Sequence, residues 1–511
     1  MITRLFSAAL RGVDAQEVEV EVNARGADKP TVTIVGLPDA AVRESSQRVT
    51  SAIIASALHL SDGVKTVNLA PADLKKEGPS FDLPIALAMV AASRTVPFNA
   101  DECCVVGELG LDGTVRPVKG VLSIALEAKQ RGRTCLLVPE ENAAEAAVIQ
   151  GIQVFPVRSL KEAWNFLEGA LVIPPFRLDR KAFFDAHRTY EVDFEEVRGQ
   201  HSVKRALEVA AAGNHNLLMV GPPGTGKSML AKRIPTIMPN MTEDEAIGIT
   251  RIHSIAGLLD PKKAFLTTRS FRSPHHTISD AGLLGGGTNP GPGEVSLAHH
   301  GVLFLDELPE FRRKTLEVLR QPLEDKEVTI SRAAGSLTFP ASFMLVAAMN
   351  PCPCGYYGDI KRECRCSPRQ IETYRQKISG PLLDRIDLHV EVPMVDFREL
   401  TSPGPTGEKS ETIRERVVQA RKIQDERFRK SSNTSNAGMS SRMMKQHCQI
   451  NDEAKGYLEH AMQEMNFSAR AHDRILKVAR TLADLSGSPN IRPTDVLEAI
   501  QYRSLDRKLF S

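Results

Sequence analysis

The spacing of apolar residues separates the chain into three regions. In residues 1–170, short apolar runs alternate with turns rich in Gly, Pro and Asp, a pattern typical of a small mixed α/β domain. The predicted strands are residues 32–36, 66–70 and 135–139, and the predicted helices are residues 84–92 and 121–129. Residues 171–190, which include Val172-Ile-Pro-Pro-Phe176, have the composition of a linker.

Residues 191–400 alternate nearly continuous apolar runs with helical patterns. The apolar runs are residues 216–220, 301–305 and 342–346. Strands that are apolar on both faces are typical of a parallel sheet covered by helices on each side. This region is therefore predicted to be an α/β core with a parallel sheet.

Residues 401–511 have a helical pattern. The charged residues 410–430 are followed by the polar residues 430–441, which predict a mobile loop. Three further helices are predicted at residues 452–465, 469–485 and 494–502, with Asn451, Ser468 and Thr494 as their N-terminal caps. We expect these helices to form a small C-terminal lid domain.

Composition narrows the class of protein. The chain has 511 residues, 42% of them hydrophobic and 25% charged, which fits a globular protein of about three domains. No run approaches the roughly 18 apolar residues of a membrane helix, and residues 1–7 lack the features of a secretory signal. We therefore expect a cytoplasmic protein without a membrane partner, whose eight cysteines are thiols or metal ligands rather than disulfides.

A phosphate-binding loop follows the first apolar run of the central region. The pattern G-x-x-x-x-G-K-S comprises Gly221, Pro222, Pro223, Gly224, Thr225, Gly226, Lys227 and Ser228. Backbone N–H groups of such a loop surround phosphates, the lysine supplies a positive charge, and the serine hydroxyl binds Mg²⁺. The loop predicts ATP and Mg²⁺ as cofactors.

Polar residues also follow the other two apolar runs. Asp306 is predicted to bind Mg²⁺, and Glu307 to polarise the attacking water. Asn350 can orient that water near the γ-phosphate, although an asparagine after a strand is also a common turn residue. Together these residues predict a site of ATP hydrolysis.

Four cysteines form the pattern C-x-C-x9-C-x-C: Cys352, Cys354, Cys364 and Cys366. Clustered thiols in a cytosolic protein predict a Zn²⁺ site, although the usual spacing of structural sites is C-x2-C. The alternative is a loop of reduced thiols. Cys103, Cys104, Cys135 and Cys448 are predicted to be core or incidental residues.

Long motifs extend this interpretation. Residues 271–280 and 293–311 resemble magnesium-chelatase-related AAA+ ATPases, and residues 350–355 and 379–390 resemble the ComM/YifB family among them. The resemblance covers the whole chain. It implies a homo-oligomeric ring, usually a hexamer, with ATP between subunits, and an activity on single-stranded or branched DNA. That activity is branch migration or a helicase function in recombination or natural transformation.

The resemblance also assigns roles to individual residues. Asn350 corresponds to the first sensor, Arg385 to the arginine finger that reaches a neighbour's γ-phosphate, and Arg470 to the second sensor. On spacing alone, Arg385 would form a salt bridge with Asp384 or Asp387, and Arg470 would be a helix surface charge.

Two segments of the central region are candidates for DNA contact. The resemblance implies an insertion between Lys227 and Asp306, where the glycine-rich residues 284–293 predict a flexible loop. Residues 327–339 alternate like a hairpin that turns near residues 334–335, and related ATPases place such a hairpin in the ring's pore. Arg332 near its tip is either a phosphate contact or a solvated surface arginine.

The N-terminal region resembles the Lon-type protease fold, through residues 76–80 and 107–119. Ser80 corresponds to the nucleophile of those proteases, whereas Leu122 occupies the position of their catalytic lysine. Leucine cannot accept a proton, and Lys119 lies three positions away, so we expect no proteolysis. A chelatase-type ATPase subunit, which drives metal insertion by a partner protein, remains the alternative function.

Overall fold

The computed structural model describes residues 2–26, 31–94, 100–260, 263–287, 290–332, 335–359, 362–395, 407–431, 433–465 and 467–505. Within these residues, no helix is long and apolar enough to span a bilayer. The elements form three consecutive groups, which follow the three patterns of apolar spacing in the sequence.

The N-terminal group is a mixed sheet covered by helices. Its strands are β1 (Ile2–Arg11), β2 (Asp14–Arg25), β3 (Thr31–Val35), β4 (Val64–Ala70), β5 (Cys103–Val105), β6 (Glu108–Leu109), β7 (Val115–Arg116), β8 (Cys135–Pro139) and β9 (Gln153–Val157). Its helices are α1 (Ala40–Ala55), α2 (Asp82–Ala92), α3 (Val121–Gln130), α4 (Ala143–Ala146) and α5 (Leu160–Leu167). The main sheet has the order β3-β4-β2-β1-β5-β8-β9. Every residue of α2 is buried, which explains its almost wholly apolar sequence.

One prediction about the cysteines is wrong. Cys103 and Cys135 form a disulfide, although we expected thiols in the core. The two residues are register partners on the adjacent parallel strands β5 and β8, with their Cα atoms 4.3 Å apart. Strand register brings together residues that are 32 positions apart, and cysteine counting cannot reveal that register.

The central group contains the predicted parallel sheet, and a short helix, α6 (Arg180–Ala186), precedes it. Its helices are α7 (His201–Gly213), α8 (Lys227–Ile237), α9 (Glu243–Ala256), α10 (Asp280–Leu284), α11 (Glu294–Leu297), α12 (Arg313–Glu317), α13 (Arg320–Asp325), α14 (Pro368–Arg375) and α15 (Gly380–Leu383). Its strands are β10 (Leu217–Val220), β11 (Phe271–Arg272), β12 (Gly285–Gly286), β13 (Gly291–Pro292), β14 (Val302–Leu305), β15 (Glu327–Arg332), β16 (Gly335–Pro340), β17 (Met344–Met349) and β18 (Leu388–Glu391). The sheet has the order β11-β14-β17-β10-β18, and all its neighbouring strands are parallel.

The C-terminal group is helical, as the sequence predicts. It contains α16 (Ser410–Phe428), α17 (Ser441–His447), α18 (Asp452–Glu464), α19 (Ala469–Leu485) and α20 (Pro493–Gln501). Asn451 and Ser468 cap α18 and α19 as expected, but Arg492 rather than Thr494 is the cap residue of α20, because Pro493 begins the helix.

The polar segment after α16 is more ordered than its composition predicts. Asn436 is fully buried in a short 3₁₀ turn, where its backbone N–H donates to Gln424 Oε1 at 3.0 Å. Its side-chain amide donates to Asp484 Oδ2 at 2.8 Å. These long-range partners lie on α16 and α19, and a low-complexity sequence gives no sign of them.

The N-terminal and central groups share a buried interface. Side chains from α3 and β8 pack with residues from α9 and with Phe265 in one apolar cluster. Phe184 of α6, which lies in the segment predicted as a linker, is part of the same cluster. At the centre of the interface, the buried Glu145 accepts hydrogen bonds from the Ser254 hydroxyl of α9 and from the backbone N–H of Leu122. The N-terminal group therefore packs directly on the central group.

Candidate functional site

Three adjacent strands of the central sheet end at one place. Asp306 follows β14, Asn350 follows β17, and Gly221 follows β10, in the strand order β14-β17-β10. Because the strands are parallel, their carboxyl ends lie at the same edge of the sheet. The backbone N–H of Gly221 donates to Met349 O at 3.2 Å, which joins the phosphate-binding loop to the end of β17.

Lys227 lies at the centre of this edge. Its ammonium group donates to the carbonyl oxygens of Gly221 at 2.7 Å and Pro222 at 2.9 Å, and to Asn350 Oδ1 at 3.2 Å. Burial lowers the pKa of Lys227, and the nearby Asp306 and Glu307 carboxylates oppose that shift. The structure thus brings the predicted first-sensor asparagine into contact with the loop lysine.

The loop backbone is shaped for an anion. Gly224 and Gly226 have φ angles of 79° and 85°, which side chains disfavour, and Gly226 precedes the first turn of α8. The N–H groups at the start of a helix have no intrahelical partner and favour negative charge. The Thr225 hydroxyl donates to Pro222 O at 3.0 Å, and this bond closes the loop.

Ser228 and Asp306 lie side by side, with the serine hydroxyl donating to Asp306 Oδ2 at 2.5 Å. A hydroxyl and a carboxylate are hard oxygen donors of the kind that Mg²⁺ prefers. The second oxygen of Asp306 accepts the backbone N–H of Glu307 at 3.0 Å, which fixes the orientation of the carboxylate. The donor set therefore fits Mg²⁺ beside a phosphate chain.

Gln200 also contacts the phosphate-binding loop, although its sequence position did not mark it as a site residue. Its side-chain amide donates to Thr225 O at 2.7 Å, and its buried Oε1 has no hydrogen-bond partner within the described residues. Such an acceptor beside a phosphate-binding loop fits the amino group of a nucleotide base. Gly199 and Gln200 both adopt left-handed backbone angles at the start of α7, and a Gly before a helix was the available signal.

Two further residues near the site were not singled out. His276 Nδ1 lies 3.4 Å from Glu307 Oε2, within a motif that the resemblance used only as a family marker. Tyr374 of α14 hydrogen-bonds the backbone of Asn350, and burial raises the pKa of its hydroxyl. Only the folding of 271–280 and α14 onto the strand ends brings these residues to the site.

Arg385 and Arg470 each pair with an acidic side chain in the structure. The Arg385 guanidinium is buried and forms an ion pair with Glu324, rather than with Asp384 or Asp387. Arg470 lies 3.2 Å from Asp384 Oδ2, and 69% of its side chain is exposed. Arg474, one turn further along α19, binds the buried Asp387 at 2.8 Å. The start of α19 is thus attached to the segment that contains Arg385.

The predicted hairpin is present as β15 and β16, with Thr329 opposite Thr338 and Ser331 opposite Ser336. Arg332 ends β15, but its side chain and residues 333–334 at the turn lie outside the described part of the chain. In the glycine-rich region, β12 pairs antiparallel with β13 as a second, smaller hairpin. A β-carbon at Gly285 would lie 2.9 Å from Ile330 Cδ1, so the two hairpins are in contact.

The four clustered cysteines converge. The sulfur of Cys352 lies 3.4 Å from that of Cys354 and 3.7 Å from that of Cys364, and the ligand atoms of all four cysteines lie within 4.8 Å of one another. Tetrahedral zinc with Zn–S bonds of about 2.3 Å separates its sulfurs by about 3.8 Å. The arrangement fits a thiolate-bound metal ion.

The residues of the N-terminal motif each have different surroundings. Ser80 lies in a 3₁₀ turn before α2, and its backbone oxygen accepts the N–H of Gly107 at 3.0 Å. Leu122 is fully buried in α3. A β-carbon at Gly257 would lie 2.6 Å from Lys119 Cε, so the lysine side chain packs on the end of α9.

Comparison with known proteins identifies families and relatives that this chain resembles. Family models described as magnesium chelatase, subunit ChlI, as subunit ChlI of Mg-chelatase, and as the subunit ChlI C-terminal match residues 193–400, 18–142 and 407–503. The YifB protein of Escherichia coli is 44% identical over 99% of this chain and 97% of its own length. The competence protein ComM of Haemophilus influenzae is 43% identical over 99% of this chain and 98% of its own. Lon protease 2 of Bacillus subtilis is 28% identical over 31% of this chain and 30% of its own.

Proposed function

This chain belongs to the ComM/YifB family of magnesium-chelatase-like AAA+ proteins, and we propose that it is an ATP-hydrolysing motor that acts on DNA. The observation that carries the ATPase part is the meeting of Lys227, Ser228, Asp306 and Asn350 at one edge of a parallel sheet. The DNA part is supported by the name of the competence relative and by the paired hairpins.

The residues of the site divide the work of hydrolysis. Lys227 and the loop N–H groups would hold the phosphates, and Ser228 and Asp306 would hold Mg²⁺, which supplies positive charge to the phosphate oxygens when it is bound. Glu307 takes a proton from water as the water oxygen bonds to the γ-phosphorus and the bond to the leaving ADP oxygen breaks. Asn350, held against Lys227, orients that water.

In this proposal, Arg385 serves a neighbouring subunit as its arginine finger, and Arg470 is the second sensor. Arg470 is exposed, and its partner Asp384 directly precedes Arg385 in the chain, so the two guanidinium groups belong to one region of the molecule. A guanidinium that reaches the γ-phosphate across an interface stabilises the charge of the transition state. Arg385 would then exchange its pairing with Glu324 for the neighbour's nucleotide, within a ring of six subunits.

The decisive experiment measures the ATPase rate of the full chain with and without single-stranded and branched DNA, for the wild type and Glu307→Gln. We expect DNA to raise the wild-type rate and Glu307→Gln to lower it by about 10²-fold or more, the usual contribution of a general base. Arg332→Ala should keep the DNA-free rate and lose the stimulation, whereas Arg131→Ala, an exposed arginine at the end of α3, should keep both.

Other results would change the proposal. A wild-type rate that no DNA alters, together with a loss in Glu307→Gln, would leave the ATPase and remove the DNA part. That result would favour the alternative, a chelatase-type subunit that uses ATP to act on a partner protein, for which the chelatase family models are the supporting observation. Stimulation of Arg332→Ala equal to that of the wild type would exclude the arginine as the DNA contact.

We also propose that Cys352, Cys354, Cys364 and Cys366 hold one structural Zn²⁺. The cluster lies against the nucleotide site, because a β-carbon at Gly355 would lie 2.5 Å from Pro223 Cδ of the phosphate-binding loop. Metal analysis of the purified chain should find about one zinc per subunit, the stoichiometry of a four-thiolate site. Cys364→Ser should lose it, whereas Cys448→Ser, a buried cysteine outside the cluster, should retain it. Metal-free wild-type protein with intact thiols would contradict the assignment.

A further inference from the structure

The side chain of Asn350 contacts the ammonium group of Lys227, with 3.2 Å between Oδ1 and Nζ. An ammonium group has three protons, and Lys227 also donates to the carbonyl oxygens of Gly221 and Pro222. When Lys227 turns toward phosphate oxygens, it loses some of these contacts. The position of Asn350 during hydrolysis therefore depends on how its backbone is held.

The helix α14 holds this backbone through two successive residues. The hydroxyl of the buried Tyr374 accepts the backbone N–H of Asn350, and Arg375 Nε donates to Pro351 O at 3.2 Å. The two contacts lie on either side of the Asn350–Pro351 peptide bond. Because a residue before proline is restricted to extended conformations, these contacts leave the backbone of Asn350 little freedom.

The helix α14 is itself attached to its surroundings near both ends. It begins directly after the cysteine cluster, where Ser367 caps it, and the Cys366 sulfur accepts the backbone N–H of Cys354 at 3.4 Å. Further along the helix, Tyr374 belongs to the apolar cluster that contains Met349, the last residue of β17. The helix is therefore a firm support for the two contacts with the strand end.

Arg375 also contacts the loop between the two pairs of clustered cysteines. Its guanidinium carbon lies 4.9 Å from the centroid of the Tyr357 ring, within the range of a cation–π interaction. Arg375 thus joins α14, the residue after Asn350 and the cysteine loop. Arg369, six residues earlier on the same helix, is exposed and provides a matched control.

We propose that Arg375 is a positioning residue for ATP hydrolysis, which holds the Pro351 carbonyl and thereby keeps the Asn350 amide directed at the attacking water. Tyr374 supports the same strand end from the other side of the peptide bond. The inference rests on the proposed function, in which Asn350 orients the water. Nucleotide binding depends on the phosphate-binding loop, so the loss of Arg375 affects the hydrolytic step and leaves binding intact.

The test is a double-mutant cycle on kcat and KM for ATP, measured with the full chain. Arg375→Ala should lower kcat by about tenfold, the effect of losing one hydrogen bond from a charged donor, while KM for ATP stays within about twofold. In the Asn350→Ala background the same change should lower kcat by less than about twofold, because the amide that Arg375 positions is absent.

Three further variants refine this test. Arg375→Lys keeps a cationic donor and should restore part of the lost kcat, and Arg369→Ala should resemble the wild type. Tyr374→Phe removes only a hydroxyl and should lower kcat by about threefold, the effect of one neutral hydrogen bond. If Arg375→Ala does not fold, the cycle with Asn350→Ala is carried out with Arg375→Lys and Tyr374→Phe, and the same loss of additivity is expected.

The possible failures of the inference and of the proposed function differ. If Arg375→Ala lowers kcat equally in the wild type and in Asn350→Ala, or raises KM at an unchanged kcat, the inference is wrong and the proposed function stands. A wild-type kcat in Arg375→Ala also contradicts the inference. If Asn350→Ala hydrolyses ATP at the wild-type rate, the role assigned to Asn350 and this inference are both wrong, and Glu307→Gln separately decides whether the site hydrolyses ATP.

Discussion

The N-terminal and central groups each contain a serine and a lysine in a glycine-rich motif. The two pairs differ in the residues that they contact in the folded chain. Lys227 contacts Asn350, and Ser228 contacts Asp306, across neighbouring parallel strands. Ser80 lies before α2, whereas Lys119 packs against the end of α9. The central motif has partners from other strands, and in the N-terminal motif the lysine serves packing between the two groups.

This difference shows how a site depends on what surrounds its motif. In the central group, strand order brings three strand ends together, so Lys227 contacts Asn350 and Ser228 contacts Asp306. In the N-terminal group, the start of α3 supplies the Leu122 N–H to Glu145, which also accepts the hydroxyl of Ser254. Leu122, the residue that the resemblance aligns with the protease lysine, therefore belongs to a hydrogen-bond network that joins the two groups.

The sharpest test of the comparison exchanges the two lysines for alanine. Lys227→Ala should lower the ATPase rate by about 10²- to 10³-fold, because a cation aimed at phosphate oxygens is removed. Lys119→Ala should keep the ATPase rate within about twofold, because the Lys119 side chain packs on Gly257 at the end of α9 and not on the phosphate-binding loop. A loss in Lys119→Ala as large as that in Lys227→Ala would mean that the interface, not the loop, controls hydrolysis.

A smaller effect is expected from Glu145→Gln. Burial raises the pKa of Glu145 in the folded chain, whereas an unfolded glutamate has a pKa of about 4.3. Between these two values the folded state binds more protons, so rising pH lowers the stability of the wild type in this window. The glutamine does not titrate.

The midpoint of thermal unfolding should therefore rise in Glu145→Gln relative to the wild type as the pH increases from about 5 to about 8. Each kcal/mol of change in the free energy of unfolding corresponds to a shift of about 2–4 °C in this midpoint. Glu141→Gln, an exposed neighbour, should show a constant difference. An identical pH dependence of the wild type and Glu145→Gln would mean that Glu145 does not carry this effect.

The smallest effect is expected from Ser80→Ala. No lysine stands at the activating position, and the serine hydroxyl is a weak nucleophile without a base. The wild type should release no fragments from casein, and Ser80→Ala should match it in both casein digestion and ATPase rate. If the wild type releases casein fragments and Ser80→Ala does not, the comparison is wrong, because the N-terminal group would then have a serine-dependent proteolytic activity.

Much of the fold and part of the site follow from local patterns. Three of the five strands of the parallel sheet, the phosphate-binding loop and the caps Asn451 and Ser468 were predicted because propensity and apolar spacing act over a few residues. Gln200 and His276 were missed because each is distant in sequence from the group that it contacts. Cys103 and Cys135 were wrongly predicted to be thiols for the same reason, since they form a disulfide across 32 positions of sequence.

The sequence by itself determined which residues are available for chemistry and which elements present them: a lysine and a serine at the start of a helix, acids after one strand, an asparagine after another, and two pairs of cysteines. Only the tertiary structure decided which of them meet. Strand order gathered Lys227, Asp306 and Asn350, and the packing of α9 on α3 placed the Lys119 side chain against Gly257. The physical reason is that local patterns report backbone preference and burial, whereas contacts between distant residues depend on register and on how whole elements pack.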